Sequence, residues 1–309
     1  MSKLEKILAI VNPVSNNGKT EDNWPKYSKI FINSGLKIEE RFSKYPLHAS
    51  KIAREAVKNG YSYIMVVGGD GTVNEVVNGL IDNDKLYSKE IKLIIFSQGT
   101  GSDLIRSLDL SSKPEKIVEL IKRRQIKNID IIKADYIDHS GRQSSRYFIN
   151  AADCGLGAEV AARVNRSKKL LDGSISYFFA VFSALYKYNN KNVIIKADGN
   201  KIYEGLINTA VAANGKYFGG GIKVAPEAEL ESGKINFVLL KDFSKFGIAV
   251  NLVKGYKGSH LNHPLVESLN AQNISIYTDD IINLEVDGEN IGRAPLTFSI
   301  IKEKLPVLV

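Results

Sequence analysis

An α/β N-terminal domain with a parallel sheet, followed by a mainly antiparallel β-sandwich, is the fold class that this sequence predicts, with the first domain at residues 1–130 and the second at 131–297. Three observations predict it. Short apolar runs alternate with helical patterns up to about residue 96, an order that requires a parallel sheet covered by helices on both faces. Beyond the helical pattern at 114–123 the periodicity changes to short strand-like runs separated by turn signals such as Asp198-Gly199-Asn200. Glycine-rich segments follow three of the early apolar runs, where ligands of parallel sheets bind.

In chain order, the apolar run 7–11 is a buried strand, 22–34 a helix ending near Gly35, and 36–42 a second strand. A helix at 48–59 is closed by Gly60, 63–67 is a third strand, 72–81 a helix and 92–96 a fourth strand. In the second part, strands are expected at 129–136, 145–149, 192–197, 205–212, 234–240, 273–277 and 282–286. One long helical insert, about 158–188, interrupts them. From Pro295 onward the chain either closes the sandwich or returns to the first sheet, so residues 298–309 are open to either domain.

Composition bounds the function classes. The 309 residues suffice to bury roughly 75% of the unfolded chain's surface, and 44% hydrophobic with 25% charged residues is ordinary globular usage. A net charge of +8 favours anionic partners, but no clustered basic stripe or base-stacking motif accompanies it, which argues against nucleic acid. The lone Cys154 excludes an internal disulfide and fits a reducing compartment, hence a cytoplasmic location. The N-terminus does not read as a signal peptide, and no stretch reaches the ~18 apolar residues of a membrane span. A lipid, if bound, is approached from the water side.

Three glycine-rich turns carry the chemistry: Asn12-Pro13-Val14-Ser15-Asn16-Asn17-Gly18, Gly68-Gly69-Asp70-Gly71-Thr72-Val73-Asn74-Glu75 and Gln98-Gly99-Thr100-Gly101-Ser102-Asp103. Glycine lets the backbone approach a phosphate, and the helix that follows presents unpaired N–H groups at a positive dipole end. Three such turns on one sheet edge make an anion cradle. The ending Gly18-Lys19-Thr20 suggests a P-loop, but that motif needs glycine five residues before Gly18, and Pro13 stands there without an N–H to donate. Lys19 and Thr20 are therefore read as an exposed turn. Asp70, between glycines just past a strand, is placed to hold Mg²⁺ or a water beside phosphates. The four histidines, His48, His139, His260 and His263, have no metal spacing and read as surface or capping residues.

With these segments the chain resembles the diacylglycerol kinase catalytic-domain family of lipid kinases, which includes bacterial diacylglycerol and YegS-like kinases and sphingosine and ceramide kinases. The resemblance extends to "NAADCGLGAEV" at 150–160, to "NGKYFGGGIKVAPEAELESGKINFVLL" at 214–240 and to "EVDGE" at 285–289. Ser102 stands where the family's third turn usually has asparagine. The resemblance implies a Rossmann-like first domain of the kind found in NAD kinases and 6-phosphofructokinases, and ATP-dependent phosphorylation of a lipid hydroxyl between the domains. It places Asn12, Pro13, Ser15, Asn16, Ser43, Gly69, Asp70, Gly71, Thr72, Asn74, Glu75 and Thr100 around ATP and its Mg²⁺. It makes Asp287 the base that accepts the hydroxyl proton, with Asp70 as a second catalytic residue. Without the resemblance, Asp287-Gly288 is simply the best short hairpin signal.

By family position a structural Mg²⁺ belongs near Glu229, Ser232 and Lys234, but serine replaces the usual aspartate and is a weaker ligand for a hard cation. That site is lost, or rebuilt with Glu229 or Glu231. In the insert, Arg163, Arg166, Lys168 and Lys169 lead the aromatic run 177–182. Such a run is either a bilayer-facing patch or, more often, a core helix. Transient membrane association and a homodimer are compatible with the resemblance. Two alternatives stay open: an NAD-kinase-like small-molecule kinase, and a non-catalytic nucleotide- or lipid-binding protein.

Overall fold

The computed structural model describes residues 6–99, 101–167 and 187–309. The chain divides into two compact units, residues 1–131 with 301–309, and residues 132–300.

The first unit is a sheet with helices. Strand β1 (Ile7–Val11) is buried at every position because it lies inside a parallel sheet, paired with β2 (Ile38–Phe42) on one side and β3 (Tyr63–Gly68) on the other. Helix α1 (Lys19–Asn33) follows three successive left-handed residues, Asn16, Asn17 and Gly18. It buries Trp24 and Phe31, and the Trp24 indole N–H donates to Glu40 Oε2 at 2.6 Å. Helices α2 (His48–Lys58) and α3 (Asp70–Leu80) pack so closely that a Cβ on Gly79 would lie 2.2 Å from the Ser50 carbonyl. A short hairpin, β4 (Ile81–Asp82) and β5 (Lys85–Leu86), leads to β6 (Lys92–Ser97), parallel to β3. Helices α4 (Asp103–Ser107) and α5 (Pro114–Arg123) complete the layer, and Phe96 takes the edges of Tyr27 and Phe31 beneath it.

The second unit is antiparallel. Strand β7 (Ile126–Asp138) pairs with β8 (Gln143–Phe148). Strand β9 (Ala151–Gly155) leads into α6 (Leu156–Ser167). Strands β10 (Lys191–Ala197), β11 (Asn200–Ala213) and β12 (Ile235–Lys241) form a meander, and helix α7 (Lys245–Lys257) follows. Then come β13 (Val266–Ala271), β14 (Asn273–Tyr277), β15 (Asn283–Val286) and β16 (Glu289–Leu308). Phe148, Phe237 and Phe298, with Ile195, Ile274 and Leu284, form its core.

Of three points in the sequence reading, one lies partly outside the described residues, one was open, and one is corrected. The 158–188 helix is present as α6 at Leu156–Ser167, while residues 168–186, with Lys168, Lys169 and the aromatic run, lie outside the described residues. Strand β16 settles the fate of the C-terminus: it leaves the second unit and at Val307 pairs parallel with Leu93 of β6. His260 is buried rather than at the surface, its Nε2–H donating to the Val224 carbonyl at 2.9 Å, and burial pushes its pKa down.

Candidate active site

In the first unit the sheet's hydrogen bonding continues one residue past the strands. Asn12 N–H donates to Val67 O at 2.8 Å, Gln98 N–H to Gly68 O at 2.8 Å and Ser43 N–H to Val11 O at 2.9 Å. Four segments are thereby gathered at the carboxyl ends of β1, β2, β3 and β6. Side chains then tie the turns to each other. Asn12 Nδ2 donates to Thr72 Oγ1 at 2.9 Å, locking the first turn to the start of α3, and Ser15 Oγ donates to the Asn12 carbonyl at 2.8 Å. Thr20 corrects the expectation of an exposed turn. It is 1% exposed in the first turn of α1, its hydroxyl 2.6 Å from Ser15 Oγ, because the helix starts at Lys19 and turns this position inward; Lys19 itself is exposed.

The second and third turns touch backbone to backbone. A Cβ on Gly99 would lie 2.6 Å from the Gly69 Cα, so no larger residue fits there. Asp70 Oδ2 accepts the Asp103 N–H at 3.2 Å at the start of α4, which joins the two turns a second time. Burial raises the Asp70 pKa, opposed by the backbone N–H groups of Asp103, Leu104 and Ser102 and by the nearby charge of Arg106. Ser102 holds a left-handed conformation, its Oγ donating to the Gly99 carbonyl at 3.0 Å and lying 2.8 Å from Ser97 Oγ. Helices α1 and α3 start at glycines, which bring no side-chain cap; in α1 the first N–H groups, of Lys19, Thr20 and Glu21, turn to the carbonyls of Asn16, Ser15 and Gly18.

Not every expected residue converges on this edge. Asn74 is buried one turn into α3 and bonds to Asn78. Glu75 accepts the Ala49 N–H at 3.1 Å and serves the first turn of α2. Thr100 lies outside the described residues.

In the second unit Asp287 and Gly288 form the two-residue turn between β15 and β16, both with positive φ, 47° and 91°. That is the primed hairpin geometry that Asp-Gly favours. The turn is held against β9 from two directions. Asp287 Oδ1 accepts the Ala151 N–H at 3.2 Å, and Asp287 N–H donates to the Ala151 carbonyl at 3.1 Å. Buried Glu285 accepts the Gly288 N–H from below, and Arg146 pairs with Glu289 at 3.2 Å.

Sequence reasoning missed two acids. Glu285 faces Asp153 across the β9–β15 ladder, and both are buried. Thr209 Oγ1 donates to Asp153 Oδ2 at 2.5 Å, yet burial pushes the Asp153 carboxyl up to about 7. An acid inside the apolar run Ala151-Ala152-Asp153-Cys154 was the available signal. Because the folded pKa lies above the ordinary value of 3.8, the native state holds the proton longer than the unfolded chain, and stability falls as pH rises from about 4 to about 7. Urea unfolding of Asp153→Asn is expected to lack this decline. Its stability relative to the parent should improve by about 2–4 kcal/mol between pH 4 and pH 8; parallel pH profiles would refute the assignment.

The segment expected to hold a structural Mg²⁺ is organised around Ser232. Ser232 Oγ lies 3.1 Å from the Glu229 carbonyl and 3.2 Å from the Lys234 carbonyl, and it accepts the Lys234 N–H at 3.2 Å. A neutral hydroxyl thus stands between the two carbonyls. Among the described residues no group of three His, Cys, Asp or Glu side chains gathers in a way that could hold a metal ion.

Known proteins are similar to this chain over nearly its whole length. The sequence profile of the diacylglycerol kinase catalytic domain matches residues 6–134, and that of the YegS C-terminal NAD kinase beta sandwich-like domain matches residues 150–309. A diacylglycerol kinase of Staphylococcus carnosus is 26% identical over 298 residues, which span 96% of this chain and 93% of that relative. The crystal structure of a diacylglycerol kinase from Bacillus anthracis is similar with a TM-score of 0.77 at 24% identity, over 100% of this chain and 98% of that one. An NAD kinase from Archaeoglobus fulgidus, solved in complex with ATP, is similar with a TM-score of 0.50 at 12% identity, over 98% of this chain and 93% of that one.

Proposed function

Since the chain belongs to the diacylglycerol kinase catalytic-domain family, we propose that it transfers the γ-phosphoryl group of ATP to the hydroxyl of diacylglycerol or a related lipid. The observation that carries this reading is the set of three strand-end turns locked together through Asn12–Thr72, Gly69–Gly99 and Asp70–Asp103. Phosphoryl transfer asks a protein mostly for positioning and charge neutralisation, and glycine turns that lead into helix starts at one sheet edge suit both. The parallel order of β2, β1, β3 and β6 supports a Rossmann-like reading of this unit.

In the proposed reaction the lipid hydroxyl oxygen attacks the γ-phosphorus, its proton passes to the Asp287 carboxylate, and the bond to the β–γ bridging oxygen breaks to release ADP. The Ala151 N–H orients that carboxylate through Oδ1. Asn12, Ser15 and Ser43 flank the nucleotide phosphates, and Asp70 fixes the spacing of the second and third turns. Asp70, held between the second and third turns, would be the carboxylate that holds the Mg²⁺ of ATP, which would neutralise phosphate charge. The hydroxyl and the two carbonyls at Ser232 are neutral, so a structural Mg²⁺ in this segment would depend on a carboxylate from Glu229 or Glu231.

The likeness to an NAD kinase is one of fold, at 12% identity. Incubation with γ-labelled ATP and diacylglycerol in mixed micelles, with NAD in a parallel reaction, tests the proposal. Label is expected in phosphatidic acid and not in NADP; label in NADP alone, or in no acceptor, would overturn it.

A further inference from the structure

Helix α7 has two apolar sides, and among the described residues one of them is covered. On the covered side Gly255 is buried, a Cβ there lying 3.3 Å from Ile222 Cγ2. Ile248 on the same side lines a hollow of about 290 Å³ together with Leu156, Tyr188 and Phe243. On the other side Phe246, Val250 and Val253 stand 79%, 51% and 63% exposed. Their spacing of i, i+4 and i+7 puts them on one stripe. Lys257 continues that stripe one turn later, Lys254 stands beside it, and Tyr256, 49% exposed, flanks it. No acidic residue occurs in the thirteen residues of the helix.

Single exposed apolar residues are ordinary, but a contiguous stripe of them rimmed by one sign of charge marks a contact surface. A second copy of the chain is a poor occupant. A two-fold contact would bring two helices of the same positive sign together with no acidic residue on either to offset them. An anionic bilayer suits both features, because phenylalanine and valine enter the acyl boundary while lysine ammonium groups meet the phosphates.

We propose that the Phe246–Val250–Val253 face of α7, with Lys254 and Lys257, is the surface on which the protein rests on an anionic membrane. The choice of occupant rests on the lipid-kinase reading, since a bilayer is where such a substrate resides. Vesicle binding without nucleotide tests the face separately from catalysis. The intact protein is sedimented with vesicles of phosphatidylglycerol and phosphatidylcholine, and with phosphatidylcholine alone. Binding is expected to the anionic vesicles and to weaken with salt. The double variant Phe246→Asp/Val253→Asp should bind them on the order of tenfold more weakly or worse, and Lys254→Glu/Lys257→Glu likewise, since each lysine contributes about a fivefold gain in affinity near such a surface.

Circular dichroism and melting temperature should match the parent in both variants, because all four side chains are exposed. Transfer to a monomeric short-chain diacylglycerol should be kept. Equal vesicle binding by parent and variants would overturn the proposal. So would variants that convert a dimer to a monomer with vesicle binding intact, which would make the face a self-association surface. A parent without transfer to any lipid would count against the kinase reading alone, and the vesicle comparison would still decide the face.

Discussion

Asp287→Asn is expected to lower the rate of phosphoryl transfer by about 10²–10⁴-fold, the range a positioned general base contributes, while leaving the fold and the affinity for ATP in place. Asparagine is the conservative probe here for a structural reason. It tolerates the left-handed φ of 47° at this position, and Asn-Gly closes the same two-residue turn. Its side-chain oxygen can still accept the Ala151 N–H that Asp287 Oδ1 accepts at 3.2 Å. What it lacks is the capacity to take the lipid hydroxyl's proton. Initial-rate measurements on the lipid acceptor, with melting temperature as the control for folding, check this. Unchanged kcat would remove Asp287 from the role of base and leave it a turn residue.

Gly99→Ala should be the most damaging small substitution in the first unit. The added methyl group would sit 2.6 Å from the Gly69 Cα, backbone against backbone, so no side chain can swing away to relieve it. The third turn must then shift from the second, straining the Asp70 Oδ2 contact to Asp103 N–H at the same time. A destabilisation of about 1–3 kcal/mol is expected from such overpacking. ATP affinity should fall on the order of tenfold or more, because the phosphate donors depend on this spacing. Calorimetric titration with ATP and thermal unfolding would check both. Parent-like binding in a stable variant would show that the close approach of the glycines is irrelevant to the nucleotide.

Some elements of the fold are readable in single segments. Strands β1, β3 and β6 stand out because a parallel strand covered on both faces is a continuous apolar run, and the glycines after them mark where the chain must turn sharply. Other elements give weak signals. Helix α7 is apolar on two sides, so its periodicity is blurred, and β9 is a mixture of alanine, aspartate, cysteine and glycine that reads as no element in particular. Thr20 was misread because a glycine-lysine-threonine ending looks like an exposed turn unless the first turn of α1 is known to begin at Lys19.

The candidate site divides along the same line. Residue types and local spacing announce a phosphate-handling edge: three glycine turns after apolar strands, a proline that forbids a P-loop, and an Asp-Gly pair able to close a hairpin. These are short-range properties, set by which φ values a residue tolerates and which N–H groups a helix start leaves unpaired. The partners of the carboxylates are a different matter. That Asp70 takes the N–H of Asp103, that Glu75 turns away to α2, that Ala151 orients Asp287 and that Glu285 lies opposite Asp153 all depend on strands and helices far apart in the chain. The same holds for the return of Val307 to Leu93. A carboxylate accepts from whichever donor packing brings within about 3 Å, and packing is a property of the assembled chain rather than of any segment within it.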